Sequence, residues 1–204
     1  MNVFYNKKYV GDVLLVQLAT EAIVKTVVER AGDIAILKEA QTGEIKAFNL
    51  FNASSYVKTE VQGNVEVTPE LVEQIEAAIA KNGASISLDV DFSPKFVVGY
   101  VETKEKHPNA DKLSICSVNI GEESLQIVCG APNVEAGQKV VVAKIGAVMP
   151  SGMLIKEGNL RGVDSFGMLC SARELAIPNA PSEKGILVLP ADAEVGSAFE
   201  APTR

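Results

Sequence analysis

The sequence predicts two domains of different class: an α+β domain over residues 1–92, then an all-β domain over residues 93–204 whose strands close into a small barrel. Three observations carry this. The first half combines Val-, Ile- and Phe-rich segments with one strongly signalled helix. The stretch "GASISLDVDFSP", residues 83–94, is polar-interleaved and reads as a boundary near residue 92. The second half is a run of about five short strands with turn signals between them, which fits a small closed barrel; a β-sandwich of the same size remains compatible.

In the first half, "DVLLVQL", "AIVKTVVE", "DIAILKEA" and "EIKAFNLF" read as antiparallel strands, with "RAGD" and "QTGE" as the turns between them. The helix follows. Thr68 is its expected N-cap and Pro69 its first residue. Leu71, Ile75, Ala78 and Ile79 lie on one face, Lys81 in the last turn, and Gly83 just past the end. Glu70, Glu73 and Glu76, three apart, read as a solvated helix face rather than a catalytic cluster.

In the second half the expected strands are "FVVGYVETKE", "LSICSVNIG", "SLQIVCGA", "KVVVAKIG", "SFGMLCSA" and "GILVLP", with Gly99 and Gly146 at the bends a small barrel needs. In "FGMLCSA", Leu169 shares a face with Gly167 and Ser171, and Met168 shares the other with Cys170 and Ala172.

Composition narrows the function. With 47% hydrophobic and 22% charged residues the chain has the balance of a globular protein. It has no run of eighteen apolar residues, and its start lacks the pattern of a secretory signal, so the expectation is a cytoplasmic protein with no membrane contact. The cysteines Cys116, Cys129 and Cys170 are odd in number and sit among apolar neighbours, which predicts reduced, buried side chains. With a single histidine and no Cys-x-x-Cys pair there is little from which to build a metal site, and no cofactor is expected. The formal charge of -7 works against binding a polyanion, which depends on local cations. That acidity lies mainly in residues 1–92, with 8 basic against 13 acidic side chains; residues 93–204 hold 11 and 13.

Four segments of the second half form an ordered set: "HPNADKL" (107–113), "IVCGAPNV" (127–134), "GAVMPSGMLIK" (146–156) and "LRGVDSFGMLCSAREL" (160–175). In this order and spacing, residues 94–200 resemble the tRNA-binding domain inserted in the β subunit of bacterial phenylalanyl-tRNA synthetase. With the acidic domain in front, the whole chain resembles the bacterial YtpR group of free-standing tRNA-binding proteins. The resemblance implies an oligonucleotide-binding (OB) fold, a five-stranded barrel that binds tRNA and performs no reaction of its own. One departure stands out: Glu157, Gly158 and Asn159 precede the Leu-Arg-Gly where phenylalanyl-type relatives are basic.

Within these motifs, Pro108 pushes His107 out of helical conformation, and His107 and Asp111 read as turn residues. Asn109 and Lys112 carry donors suited to a phosphate or a 2′-hydroxyl. Asn133 lies in a Pro-Asn turn that could face RNA. Arg161 is the first choice for affinity, because its planar fork fits a phosphate or stacks on a splayed base, and Lys156 is close to it in sequence. Lys144 joins Lys112, Lys156 and Arg161 in the set whose convergence would mark a phosphate-binding surface. The resemblance places Ser165, Met168 and Ser171 on the RNA-facing side, although strand alternation alone could equally bury Met168.

The reading is a non-catalytic binder of structured RNA, with tRNA as partner. One rival is a protein-interaction or dimerisation module that has lost RNA affinity. A second is an enzyme using Cys129 or Cys170 with His107, which requires those side chains to meet in space.

Overall fold

The computed structural model describes residues 1–21 and 24–201. The chain divides into two compact units, Met1–Phe92 and Ser93–Arg204.

Strands β1 (Asn2–Tyr5), β2 (Val13–Gln17), β3 (Thr26–Ala31), β4 (Ile34–Glu39), β5 (Ile45–Phe51) and β6 (Gly63–Val65) make one antiparallel sheet in the order β3-β4-β5-β2-β1-β6. Its inward side follows from alternation. Val3 and Tyr5, Leu14 and Val16, and Phe48 and Leu50 are buried at every second position. The helix α1 (Pro69–Lys81) starts as its sequence requires: the Thr68 hydroxyl accepts the Leu71 N–H at 3.2 Å. Leu71, Ile75, Ala78 and Ile79 join the sheet residues in one apolar core. At the helix end Asn82 Oδ1 accepts the Asp33 N–H at 2.8 Å, tying α1 to the β3–β4 turn. Gly32, with φ +56°, is required there, because a Cβ would lie 2.3 Å from that oxygen. Strands outweigh the single helix, so this unit is a mostly-β sheet with one helix packed on it. The short strands β1 and β6 were not expected from the sequence, and Ala22 and Ile23 of the expected strand "AIVKTVVE" lie outside the described residues.

The second unit contains β7 (Phe96–Lys106), β8 (Ser114–Asn119), β9 (Ser124–Cys129), β10 (Lys139–Ala143), β11 (Gly158–Leu160), β12 (Val163–Ser165), β13 (Met168–Leu169) and β14 (Val188–Leu189). Five strands run in the order β13-β10-β7-β8-β9, all antiparallel, with β14 beside β10. The sheet curls until its ends nearly meet: the Phe166 N–H donates to Gln126 O at 2.9 Å, and the Val128 N–H to Ser165 Oγ at 3.0 Å. The result is a nearly closed five-stranded barrel.

After Lys139 the run "VVVA" of β10 is apolar throughout because both faces of the strand are covered. Val140 and Val142 fill the barrel with Val101, Val118 and Ile127, whereas Val141 and Ala143 pack outward against Ala147, Met149, Ile155 and Cys170. Leu169 points into the barrel core. Met168 is half-buried and packs against the outer layer. Gly99 serves through space rather than through an unusual φ, since a Cβ there would meet Val142 Cγ2 at 2.6 Å and Val118 Cγ1 at 2.8 Å. The strand expected from "SFGMLCSA" pairs only at Met168 and Leu169; beyond Cys170 the chain turns away.

Candidate nucleic-acid interface

The segment 107–113 and the β11–β12 hairpin come together at one end of the barrel. The hairpin tip is a two-residue turn closed by the Leu160–Val163 pair, with Arg161 at φ 51° and Gly162 at φ 92°, the values of a type I′ turn. Holding a non-glycine residue in this region costs roughly 1–2 kcal/mol. Bonds on both sides offset that cost. Asn159 Oδ1 accepts the Gly162 N–H at 2.9 Å, and Asn109 Nδ2 donates to Arg161 O at 3.1 Å.

His107, only 1% exposed, completes the clasp. One ring nitrogen, Nε2, lies 2.9 Å from Leu160 O, and the other, Nδ1, accepts the Asn109 N–H at 3.0 Å. A carbonyl can only accept and an amide N–H only donate, so the imidazole is neutral with its proton on Nε2. His107 is therefore the buried pin of the Arg161 turn, a stronger duty than the turn residue expected from its neighbour Pro108. With both nitrogens engaged, it pairs with no cysteine. Desolvation pushes the Cys116 thiol up to about 11 and the Cys170 thiol up to about 12, and raises Cys129 as well. These are protonated, buried thiols at neutral pH.

Beside the hairpin lies a cleft of about 930 Å³. Its walls include Lys156, Leu160, Ser165, Met168 and Ser171, together with Arg173, Glu174, Glu183 and Lys184. Gly130, in the wall, abuts Leu113 and the Lys112 carbonyl, so the 107–113 segment continues the same surface. Lys112, Lys156, Arg161, Arg173 and Lys184 are exposed, and none has an ion-pair or hydrogen-bond partner for its charged group among the described residues.

The other expected site residues have internal duties. Ser165 is buried; its hydroxyl accepts from Val128 and donates to Gly167 O at 3.3 Å, closing the barrel. Ser171 and Glu174 cap one another: Glu174 Oε2 accepts from the Ser171 N–H and hydroxyl at 2.8 and 2.7 Å, and the Glu174 N–H donates back to Ser171 Oγ at 3.2 Å. Asn133 grips the backbone of Ile186 with both ends of its amide, at 3.0 and 2.9 Å. Lys144 lies elsewhere. Its N–H bonds Lys95 O and its ammonium reaches Ser93, at the start of β7, whereas the His107 clasp follows the end of that strand. Ten residues of strand separate the two ends, on the order of 30 Å along the chain.

Arg173 and Lys184 were missed by sequence reasoning. For Arg173 a signal existed, because "SARE" is a capping box with an arginine inside it. "SEKG" around Lys184 looks like any polar loop.

Residues 96–198 match the family described as "Putative tRNA binding domain". The chain belongs to the tRNA-binding domain family. Residues 23–91 match a domain family of unknown function, DUF4479. The chain is 57% identical over 200 residues to the "Putative tRNA-binding protein YtpR" of Bacillus subtilis, an alignment spanning 98% of this chain and all of that protein. It is also 51% identical over 141 residues to the phenylalanine–tRNA ligase β subunit of Oceanobacillus iheyensis, where the match takes in 64% of this chain but 17% of the ligase subunit. A similar subunit from Campylobacter jejuni is 56% identical over 126 residues, 59% of this chain and 16% of the subunit. What the family shares with these subunits is therefore a module, a small part of each ligase chain.

Proposed function

We propose that this protein is a non-catalytic, cytoplasmic tRNA-binding protein whose second domain, residues 93–204, is an OB-fold that holds structured RNA by shape and backbone contacts. Residues 1–92 form a separate domain in this reading, a mostly-β sheet that carries one α-helix. The observation that carries it is the unpaired cation set Lys112, Lys156 and Arg161, gathered around a hairpin tip that is fixed before any ligand arrives. Preorganisation of this kind lowers the ordering cost of binding. Asn109 contributes its remaining acceptor, and Met168 an apolar contact. Ser165, Ser171 and Asn133 support the surface from behind, and Lys144 takes no part. Family membership and the YtpR relative support tRNA as the RNA.

The test is a filter or gel-shift titration of the full chain with total tRNA and with an unstructured strand of equal length. Folded tRNA should bind better, and three phosphate contacts should give a slope of log K against log salt of roughly -2 to -3. Protein that bound neither RNA at low salt would instead support the interaction-module rival. The domain boundary is tested separately: a fragment starting near Asp91 should give the circular dichroism of a folded β protein and keep the RNA affinity.

A further inference from the structure

The cleft beside the Arg161 hairpin has a chemistry that backbone contacts do not use. At about 930 Å³ it is in the size range of small-ligand sites, about 300–1,000 Å³. Its apolar lining includes Met153, Leu154, Leu160 and Met168, with Met153 48% exposed and Leu160 38% exposed. Around this apolar part stand the cations Lys156, Arg173 and Lys184. Two carboxylates are also present. Glu174 is engaged by Ser171, and Glu183 makes no hydrogen bond or ion pair among the described residues.

Paired RNA cannot satisfy this arrangement. An A-form helix offers phosphates and 2′-hydroxyls at its surface and keeps the faces of its bases stacked inside, so it would cover the cleft mouth and leave the apolar part empty. A single unstacked base has two apolar faces for the methionine thioethers, and amino groups on its edge that a carboxylate such as Glu183 can accept. Its attached phosphate needs cations within a nucleotide's length, and Arg173 and Lys184 line the same cleft.

We infer that the cleft takes one unpaired nucleotide, its base against Met153 and Met168 and its phosphate toward Arg173 and Lys184. This rests on the RNA-binding reading of the same surface and names the part of the RNA that the cleft selects. The chain has four methionines, Met1, Met149, Met153 and Met168, so the methyl groups of the full chain form a ready set of reporters. Met149 is buried and Met1 is in the first unit, and neither lines the cleft.

The experiment is a methyl-labelled methionine NMR titration of the full chain with adenosine 5′-monophosphate, adenosine and inorganic phosphate, beside a gel shift with total tRNA. The nucleotide should move the Met153 and Met168 signals and leave Met1 and Met149 in place, with weaker binding of adenosine and no matching shifts from phosphate. The double variant Arg173→Ala, Lys184→Ala should bind the nucleotide roughly tenfold more weakly, the scale of losing a charge-assisted contact. The assignment is overturned if Met153 and Met168 do not respond to the nucleotide, if phosphate alone reproduces the shifts, or if the double variant binds as the parent does. Binding of tRNA with an unresponsive cleft would remove this inference alone. Nucleotide in the cleft without any tRNA binding would support the cleft and remove the tRNA reading.

Discussion

Among the described residues both units leave cations unpaired, Lys25 and Lys58 in the first among them, but in the second several of the unpaired cations border one hairpin and cleft. In the first, Lys38 pairs with Glu29 at 2.6 Å, Lys46 with Glu44 at 2.9 Å and Glu21 at 3.6 Å, while Arg30 lies over Phe51 and Lys81 over Tyr56. In the second, Lys104 is paired with Glu135 and Lys106 with Asp111, yet Lys112, Lys156, Arg161, Arg173 and Lys184 stand unpaired around one hairpin and cleft. Net charge alone would rank both units as poor partners for a polyanion. What matters to a phosphate is whether nearby cations are already neutralised, because exposed charges farther away than a Debye length, about 10 Å at 0.1 M salt, are largely screened.

The largest expected effect concerns the support beneath the unpaired set. His107→Ala leaves Leu160 O and the Asn109 N–H without partners and opens a cavity, so the barrel should lose about 2–4 kcal/mol in a denaturant titration, with tRNA affinity falling as the Arg161 turn loosens. A variant with unchanged stability would mean that the clasp does not hold the turn.

Next comes the contrast itself. Arg161→Ala should cost about 1–3 kcal/mol of tRNA affinity and flatten the salt slope by nearly one unit, whereas Lys38→Ala, which removes a paired cation, should change neither. Equal effects from the two variants would erase the distinction between the units.

A smaller effect is expected from acid in the first unit. Hydrogen bonds from Ser54, at 2.6 Å from its hydroxyl and 3.0 Å from its N–H, and from Tyr5 hold the Asp12 carboxyl below its ordinary value of 3.8. A depressed carboxyl adds stability that is present above the unfolded value and is lost as pH falls through the folded one. Asp12→Asn should therefore flatten the acid limb of the stability curve below about pH 4 and leave the neutral limb parallel to the parent. An unaltered acid limb would show that Asp12 is not the group responsible.

The smallest effect is a rate. With its thiol pushed up to about 12, Cys170 should react with a disulfide reagent at pH 7 only as fast as the barrel opens, and unfolded protein should react at once. Rapid labelling of native protein would reopen the thiol rival.

Much of the frame was legible in the sequence because it depends on local pattern. Thr68, Pro69 and the spacing of Leu71, Ile75 and Ile79 specify α1 through bonds and faces a few residues apart. The longer strands follow from β-branched runs bounded by turns. The strands β1 and β6 were not legible, since segments of three or four residues carry too little periodicity to register.

The site divides the same way. The sequence by itself determined which side chains can grip phosphate, because the chemistry of Lys112, Lys156 and Arg161 is intrinsic to each residue. Tertiary structure decided which of them come to one surface. It carried Lys144 to the other end of β7, brought Arg173 and Lys184 into the cleft, turned Ser165 inward to close the barrel, and set His107 beneath a turn 53 positions away. Those outcomes depend on strand register and on where a curled sheet meets its own edge, contacts between segments far apart along the chain that no local pattern encodes.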